Sequence, residues 1–198
     1  MRLTKGFWLG KTEVTQRQYE LIAGENPSAN RAAGPDAPVE NLVMKHALAF
    51  CEAMKDRLPG LPPGYKFSLP TEAQWEYACR AGTQGPIYGP SLDAVAWYRE
   101  NSGDSPHAVE KDAKAPNAWG LVGMLGNVAE WCFDRFTPYP DGFTIDPESP
   151  ASGSDQIIRG GGYTSFDDSC RAADRVVNSP SFSFTSCGFR VCLRPVKG

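Results

Sequence analysis

Six cysteines (Cys51, Cys79, Cys132, Cys170, Cys187 and Cys192) and two histidines (His46 and His107) are the residues of this chain best suited to soft-metal or redox chemistry. No two of the cysteines have C-x-x-C spacing, which argues against a structural zinc site. Cys51, Cys79 and Cys132 follow Ala49-Phe50, Tyr77-Ala78 and Glu130-Trp131. In such apolar and aromatic company a thiol packs as a small hydrophobe, so these three are expected to be buried and inert.

A second kind of chemistry, ligand contact, is suggested by two segments whose composition differs from the rest. Residues 164–169 and 176–187 are rich in Ser, Phe, Asp, Thr and Asn. Aromatics supply rigid contact area and small polar residues supply adaptable hydrogen bonding, the composition of a binding surface. The candidate binding residues are Ser165, Phe166, Asp167, Asp168, Ser169, Asp174, Val176, Asn178, Ser181, Phe182, Ser183, Phe184, Thr185 and Ser186. Exposure of Phe166, Phe182 and Phe184 would favour this reading, because apolar patches seldom sit idle on a monomer's surface, and burial of all three would overturn it.

Elements must position these residues. A helix is predicted from about Thr15 to Ala23, with a hydroxyl cap and Tyr19 and Ile22 three apart. A second, from Lys45 to Asp56, places Ala47, Phe50, Cys51 and Met54 on one face. Thr71 and Gln74 form a capping-box pattern for a third, with Trp75, Ala78 and Cys79 apolar and Gly82 in the left-handed position at its end. Strands are expected at Phe7–Thr12, Gly126–Cys132, Gln156–Tyr163, Cys170–Val176 and Phe189–Leu193, and Leu58–Gly64 reads as a rigid irregular loop. Trp8, Trp75, Trp119 and Trp131 are expected in the core, Trp97-Tyr98 at a surface contact, and Asn127 in a turn whose amide closes local backbone groups.

The 198 residues suit one domain that buries about 70% of its unfolded surface. The 20 Gly and 17 Pro point to long ordered loops. A net charge of -3 without a basic run gives no footprint for nucleic acid. No run approaches the ~18 apolar residues of a membrane span, and Met1–Lys5 is not followed by an apolar signal core. The expectation is a cytoplasmic chain without membrane insertion, export within a longer parent remaining open.

Three blocks name a family: Gly120 to Trp131 (GLVGMLGNVAEW), Arg159-Gly160-Gly161-Gly162-Tyr163, and Gly188-Phe189-Arg190-Val191. With Phe7 to Gln16, Pro38-Val39-Glu40-Asn41 and Leu69 to Ala78, they resemble the sulfatase-modifying-factor family, whose founding members are formylglycine-generating enzymes. The resemblance implies a single α+β domain over 1–198, on an elaborated C-type-lectin fold that is loop-rich, with short antiparallel strands, two or three helices and a trimmed amino-terminal strand. It also implies a bacterial or viral lineage.

The resemblance implies chemistry only where residues match. The enzymes oxidise a sulfatase cysteine with dioxygen and a copper ion held by two thiolates. Here the first thiol position is Ser165, and the serine of the Gly-Gly-Ser triplet is Gly162. Cys170 falls at the second position by counting, although its context (Cys-Arg-Ala-Ala-Asp-Arg) fits the strand that follows the active-site loop in non-catalytic relatives. No catalytic residue is therefore assigned; the alternative is a copper-dependent oxidase with a rearranged pair, Cys170 and Cys187. A related non-haem iron branch needs three histidines, and this chain has two.

The family's calcium site maps to the carbonyls of Gly126 and Val128 and the Glu130 carboxylate, with Gly123 where the family has Asp or Asn. Glu130 could instead cap loop amides or pair with an Arg in the core. The resemblance extends to variable proteins of diversity-generating retroelements, which concentrate variation at this carboxyl-terminal position. The expected function is a non-catalytic domain binding a protein or small-molecule ligand, with calcium the cofactor that the resemblance implies and copper only under the oxidase alternative.

Overall fold

Thr15 accepts a hydrogen bond from the Gln18 amide at 3.1 Å and the Gln18 side chain accepts one from the Thr15 amide at 2.9 Å. This reciprocal cap starts α1 (Gln16–Ala23), and Gly24 ends it with φ 82°. In the computed structural model, residues 1–58, 60–149 and 153–196 are described. Pro59, within the expected Leu58–Gly64 loop, lies outside them, as do 150–152 and 197–198 of the single domain expected over 1–198. The second helix, α2 (Met44–Arg57), buries Met44, Ala47, Phe50 and Cys51. Tyr19 stacks on Phe50 at 5.5 Å between centroids, and Phe50 meets Phe189 edge-on at 5.3 Å.

Thr71 and Gln74 repeat the reciprocal cap at 3.2 and 3.0 Å and start α3 (Glu72–Arg80). The left-handed residue at its end is Ala81 (φ 42°, ψ 41°), one position before the predicted Gly82, which follows with φ 95°. The box is buried, so Thr71→Ala is expected to lower stability by about 1 kcal/mol. A urea titration checks this as a lower midpoint at unchanged slope.

Strands are shorter than predicted and fall into three small sheets. β1 (Trp8–Leu9), β9 (Cys192–Pro195) and β2 (Tyr65–Ser68) form an antiparallel sheet in that order. β3 (Ala96–Trp97), after the one-turn α4 (Leu92–Val95), pairs in parallel with β4 (Leu125–Gly126). The largest sheet runs β7 (Val176–Asn178), β6 (Gln156–Arg159), β5 (Ala129–Arg135), β8 (Cys187–Gly188), with β8 parallel to β5. This is the mixed, loop-rich α+β arrangement expected, with two parallel pairings added to the antiparallel ones.

The boundaries move for identifiable reasons. The predicted strand at Gly126–Cys132 splits because Asn127 adopts φ 61°. That at Gln156–Tyr163 stops at Arg159, since Gly160 and Gly161 follow with φ 94° and 69°. Gly161 cannot be replaced cheaply, because a Cβ there would lie 2.7 Å from Cys170 Sγ. The predicted strand at Cys170–Val176 is not one. Arg159 reaches the carbonyls of Ala172 and Asp174, so this backbone is satisfied by a side chain and pairing begins only at Val176.

Two apolar clusters make the core, one around Trp131, Phe189, Leu42 and Phe50, the other around Trp75, Met124, Leu125 and Ile157. Trp75 and Trp131 are fully buried, but Trp8 and Trp119 are about half exposed, packing edge-on against Tyr65 and Tyr77. Both stand outside the two clusters, which corrects the expectation for them. Among the described residues no helix is long and apolar enough to cross a membrane.

Candidate functional site

The Gly120–Trp131 block meets the Gly188–Val191 block through one buried ion pair. Arg190 donates Nε to Glu130 at 2.8 Å and Nη2 to Glu130 Oε1 at 2.6 Å. Trp75 Nε1 donates to Glu130 Oε2 at 2.7 Å. The rest of the guanidinium closes loop carbonyls of Gly10, Lys11 and Val122. Of the two sequence readings for Glu130, the pair with a core Arg is the one present.

These residues do not fit calcium, which takes six to eight oxygens. Both Glu130 oxygens are engaged by Arg190 and Trp75, and the guanidinium already supplies positive charge. Gly123, at the first ligand position, gives no side-chain oxygen. Its φ is 65°, and a Cβ there would collide with the carboxylate of Glu13. Of the expected calcium set of Gly126, Val128 and Glu130, the carboxylate is thus already taken. Glu13 is 1% exposed, and among the described residues neither of its carboxylate oxygens has a hydrogen-bond partner. Burial pushes its pKa up to about 8, with Arg190 pulling it down and Glu130 pushing it up.

All six cysteines are buried and free. Cys51, Cys79 and Cys132 are buried as expected, and burial raises the pKa of each thiol. Cys170 lies in the cluster around Trp75 and Cys187 in the one around Trp131. Burial pushes Cys170 up to about 12 and Cys187 well above the ordinary thiol range. Copper(I) takes thiolate ligands, so this pair, placed in separate clusters and held protonated, does not fit it. Ser165, at the first thiol position, accepts from the Gly162 amide at 2.9 Å.

The two Ser- and Phe-rich segments come together. Thr164 Oγ1 donates to Ser186 Oγ at 3.0 Å. Phe166 and Phe182 are each 56% exposed. Arg99, which sequence reasoning did not single out, stacks its guanidinium 4.5 Å above the Phe166 ring and donates its amide to the Ser165 carbonyl. Asp167, Asp168, Val176, Ser181 and Thr185 are also exposed, and Ser165, Ser169, Asp174, Asn178 and Ser183 are partly so.

Two candidates are corrected. Phe184 turns inward and packs against Trp131, and Ser186 is buried with its carbonyl accepting from the Ala129 amide. Both precede β8, whose parallel pairing to β5 buries Ser186 and leaves Phe184 half-buried against the core. Of Trp97-Tyr98, expected at a surface contact, Trp97 is half-buried and Tyr98 buried. Trp97 is covered by the His107 ring at 3.7 Å and by Lys114, and Tyr98 is buried on Asp93. Asn127 is the turn residue expected, although it closes a distant loop, accepting from the His107 amide at 2.8 Å and donating to its carbonyl.

Comparison with known proteins agrees with this architecture. Residues 1–195 match the sulfatase-modifying factor enzyme 1-like domain. The formylglycine-generating enzyme of Streptomyces coelicolor is 38% identical over 79% of this chain and 52% of its own length. That of Bos taurus is 33% identical over 84% of this chain and 46% of its own. The chain thus spans about half the length of these curated relatives. Treponema denticola variable protein 1 superposes with a TM-score of 0.90 at 33% identity, covering 98% of this chain and 86% of that one.

Proposed function

The chain belongs to the sulfatase-modifying factor enzyme 1-like family, and on that premise we propose that it is a non-catalytic binding domain of the variable-protein type, taking its ligand on the two carboxyl-terminal loops. One observation carries this reading: the loops, joined at Thr164 and Ser186, present Phe166 and Phe182 to solvent. Aromatic rings among Ser, Asp and Thr give contact area at low entropic cost. The likeness to Treponema denticola variable protein 1 supports it. The burial of Cys170 and Cys187 weighs against the oxidase alternative that the enzyme relatives raise.

Two measurements test the reading. Phe166→Ala with Phe182→Ala is expected to change the unfolding free energy by less than about 1 kcal/mol, as surface positions do. A cost of about 3 kcal/mol or more, typical of a buried Phe, would make them packing residues and sink the proposal. Copper(I) titration under reducing conditions is expected to show no tight binding. Tight binding lost in Cys170→Ser or Cys187→Ser, with oxygen-dependent oxidation of a cysteine peptide, would establish the oxidase instead.

A further inference from the structure

A groove of about 730 Å³ runs beside the second loop, between the start of α2 and the outer face of β5. Its apolar wall is Val43, Leu48, Phe133 and Pro180. The backbone fixes one corner, since the Met44 amide donates to the Pro180 carbonyl at 3.2 Å. Lys45 and Arg135 also line it.

Charge at this groove runs against the chain as a whole, whose net charge is -3. Among the described residues neither Lys45 nor Arg135 has an ion-pair partner, and Arg135 donates only to the Gly153 carbonyl. Lys66, also without an ion-pair partner, stands 5.6 Å from the centroid of the Phe133 ring, and Arg194 stands 4.0 Å from it. The one carboxylate on the wall, Glu148, is held by Arg194 at 2.9 Å. The surplus charge is positive and borders an apolar wall.

We propose that this groove is a binding site for a small organic anion, an apolar ring or chain carrying a sulfonate or carboxylate. The apolar body would lie on Leu48, Phe133 and Pro180, with its anionic group toward Lys45 and Arg135. The volume is that of sites which take drug-sized ligands, where an apolar lining supplies area and a few charged groups fix orientation. A charge-assisted contact to a guanidinium or ammonium is about twice as strong as a neutral one. Pro180 and Ser181 belong to the second loop, so the proposal deepens the binding reading above and rests on it at that edge.

The test uses the full chain and anilinonaphthalene sulfonate, whose emission reports transfer to an apolar site. Heteronuclear amide spectra locate the dye. Shifts are expected at Lys45, Leu48, Phe133, Arg135 and Ser181, with affinity falling about tenfold in each of Lys45→Glu and Arg135→Glu. The neutral parent, anilinonaphthalene, is expected to bind at least about tenfold more weakly, a readout independent of any variant's folding. Equal affinity for the neutral dye, no binding, or shifts elsewhere would overturn the groove. Shifts confined to Phe166 and Phe182 would overturn it while leaving the loops as the binding surface. Failure of the loop reading registers separately, as the stability cost of Phe166→Ala with Phe182→Ala.

Discussion

Replacing Arg190 by Met is expected to lower the unfolding free energy by about 3–5 kcal/mol, because it leaves the Glu130 carboxylate buried without a counter-charge. Arg190 is 0% exposed and Glu130 1%. The guanidinium also closes the carbonyls of Gly10, Lys11 and Val122, which the thioether of Met cannot do. Denaturant unfolding of Arg190→Met, Glu130→Gln and the double variant checks this. The two losses are expected to be strongly non-additive, since each single change removes the same pair. A loss below about 1 kcal/mol for Arg190→Met, the value of an exposed pair, would show that this centre does not hold the Gly120–Trp131 and Gly188–Val191 blocks together.

The second large effect concerns pH. Glu13 has a folded pKa of about 8, far above the ~4.3 of an unfolded glutamate, so the folded chain holds a proton that the unfolded chain releases. The stability this gives is fully present below about pH 4 and is lost as pH rises through about 8. Across that window it falls with the slope of one bound proton, roughly 1 kcal/mol per pH unit. Glu13→Gln keeps the shape and removes the titration. The variant is therefore expected to be more stable than the parent at pH 8 and to lack this part of the slope. Glu40, Asp134 and Asp174 are also raised by burial, and because they are common to both chains, the difference between the two unfolding profiles isolates Glu13. Parallel profiles from pH 5 to 8 would refute the assignment.

Much of the fold was legible because it is local. A cap needs only Thr15 with Gln18, or Thr71 with Gln74, and helical spacing alone puts Ala47, Phe50 and Cys51 on one face. The strands were less legible. Their partners lie far away in the chain, and several are only two residues long, fixed by neighbours such as the Val191 carbonyl that accepts from Gly10. The one-turn α4 and the parallel pair β3–β4 carry no periodic signal at that length and were not foreseen.

For the candidate site, composition marked the two loops, and Phe166 and Phe182 are exposed, which favours that reading. Phe184, two residues on from Phe182 in the same Ser-Phe pattern, faces inward, because the sense of a side chain there depends on how β8 docks on β5. Arg99 beside Phe166 could not have been found from spacing, being brought there by a backbone bond across 66 positions (99 to 165 at the amide and carbonyl).

By itself the sequence determined the family, the helices α1, α2 and α3, and the loops that differ from the rest, since each depends on residue type at short range. Only the tertiary structure decided that Glu130 belongs to Arg190, that Glu13 is buried against Gly123, and that Cys170 and Cys187 lie buried in separate clusters. Those outcomes turn on which distant groups share a water-free space. Desolvation, which decides whether a carboxylate or thiol carries charge, is set by that space and not by neighbours in the chain.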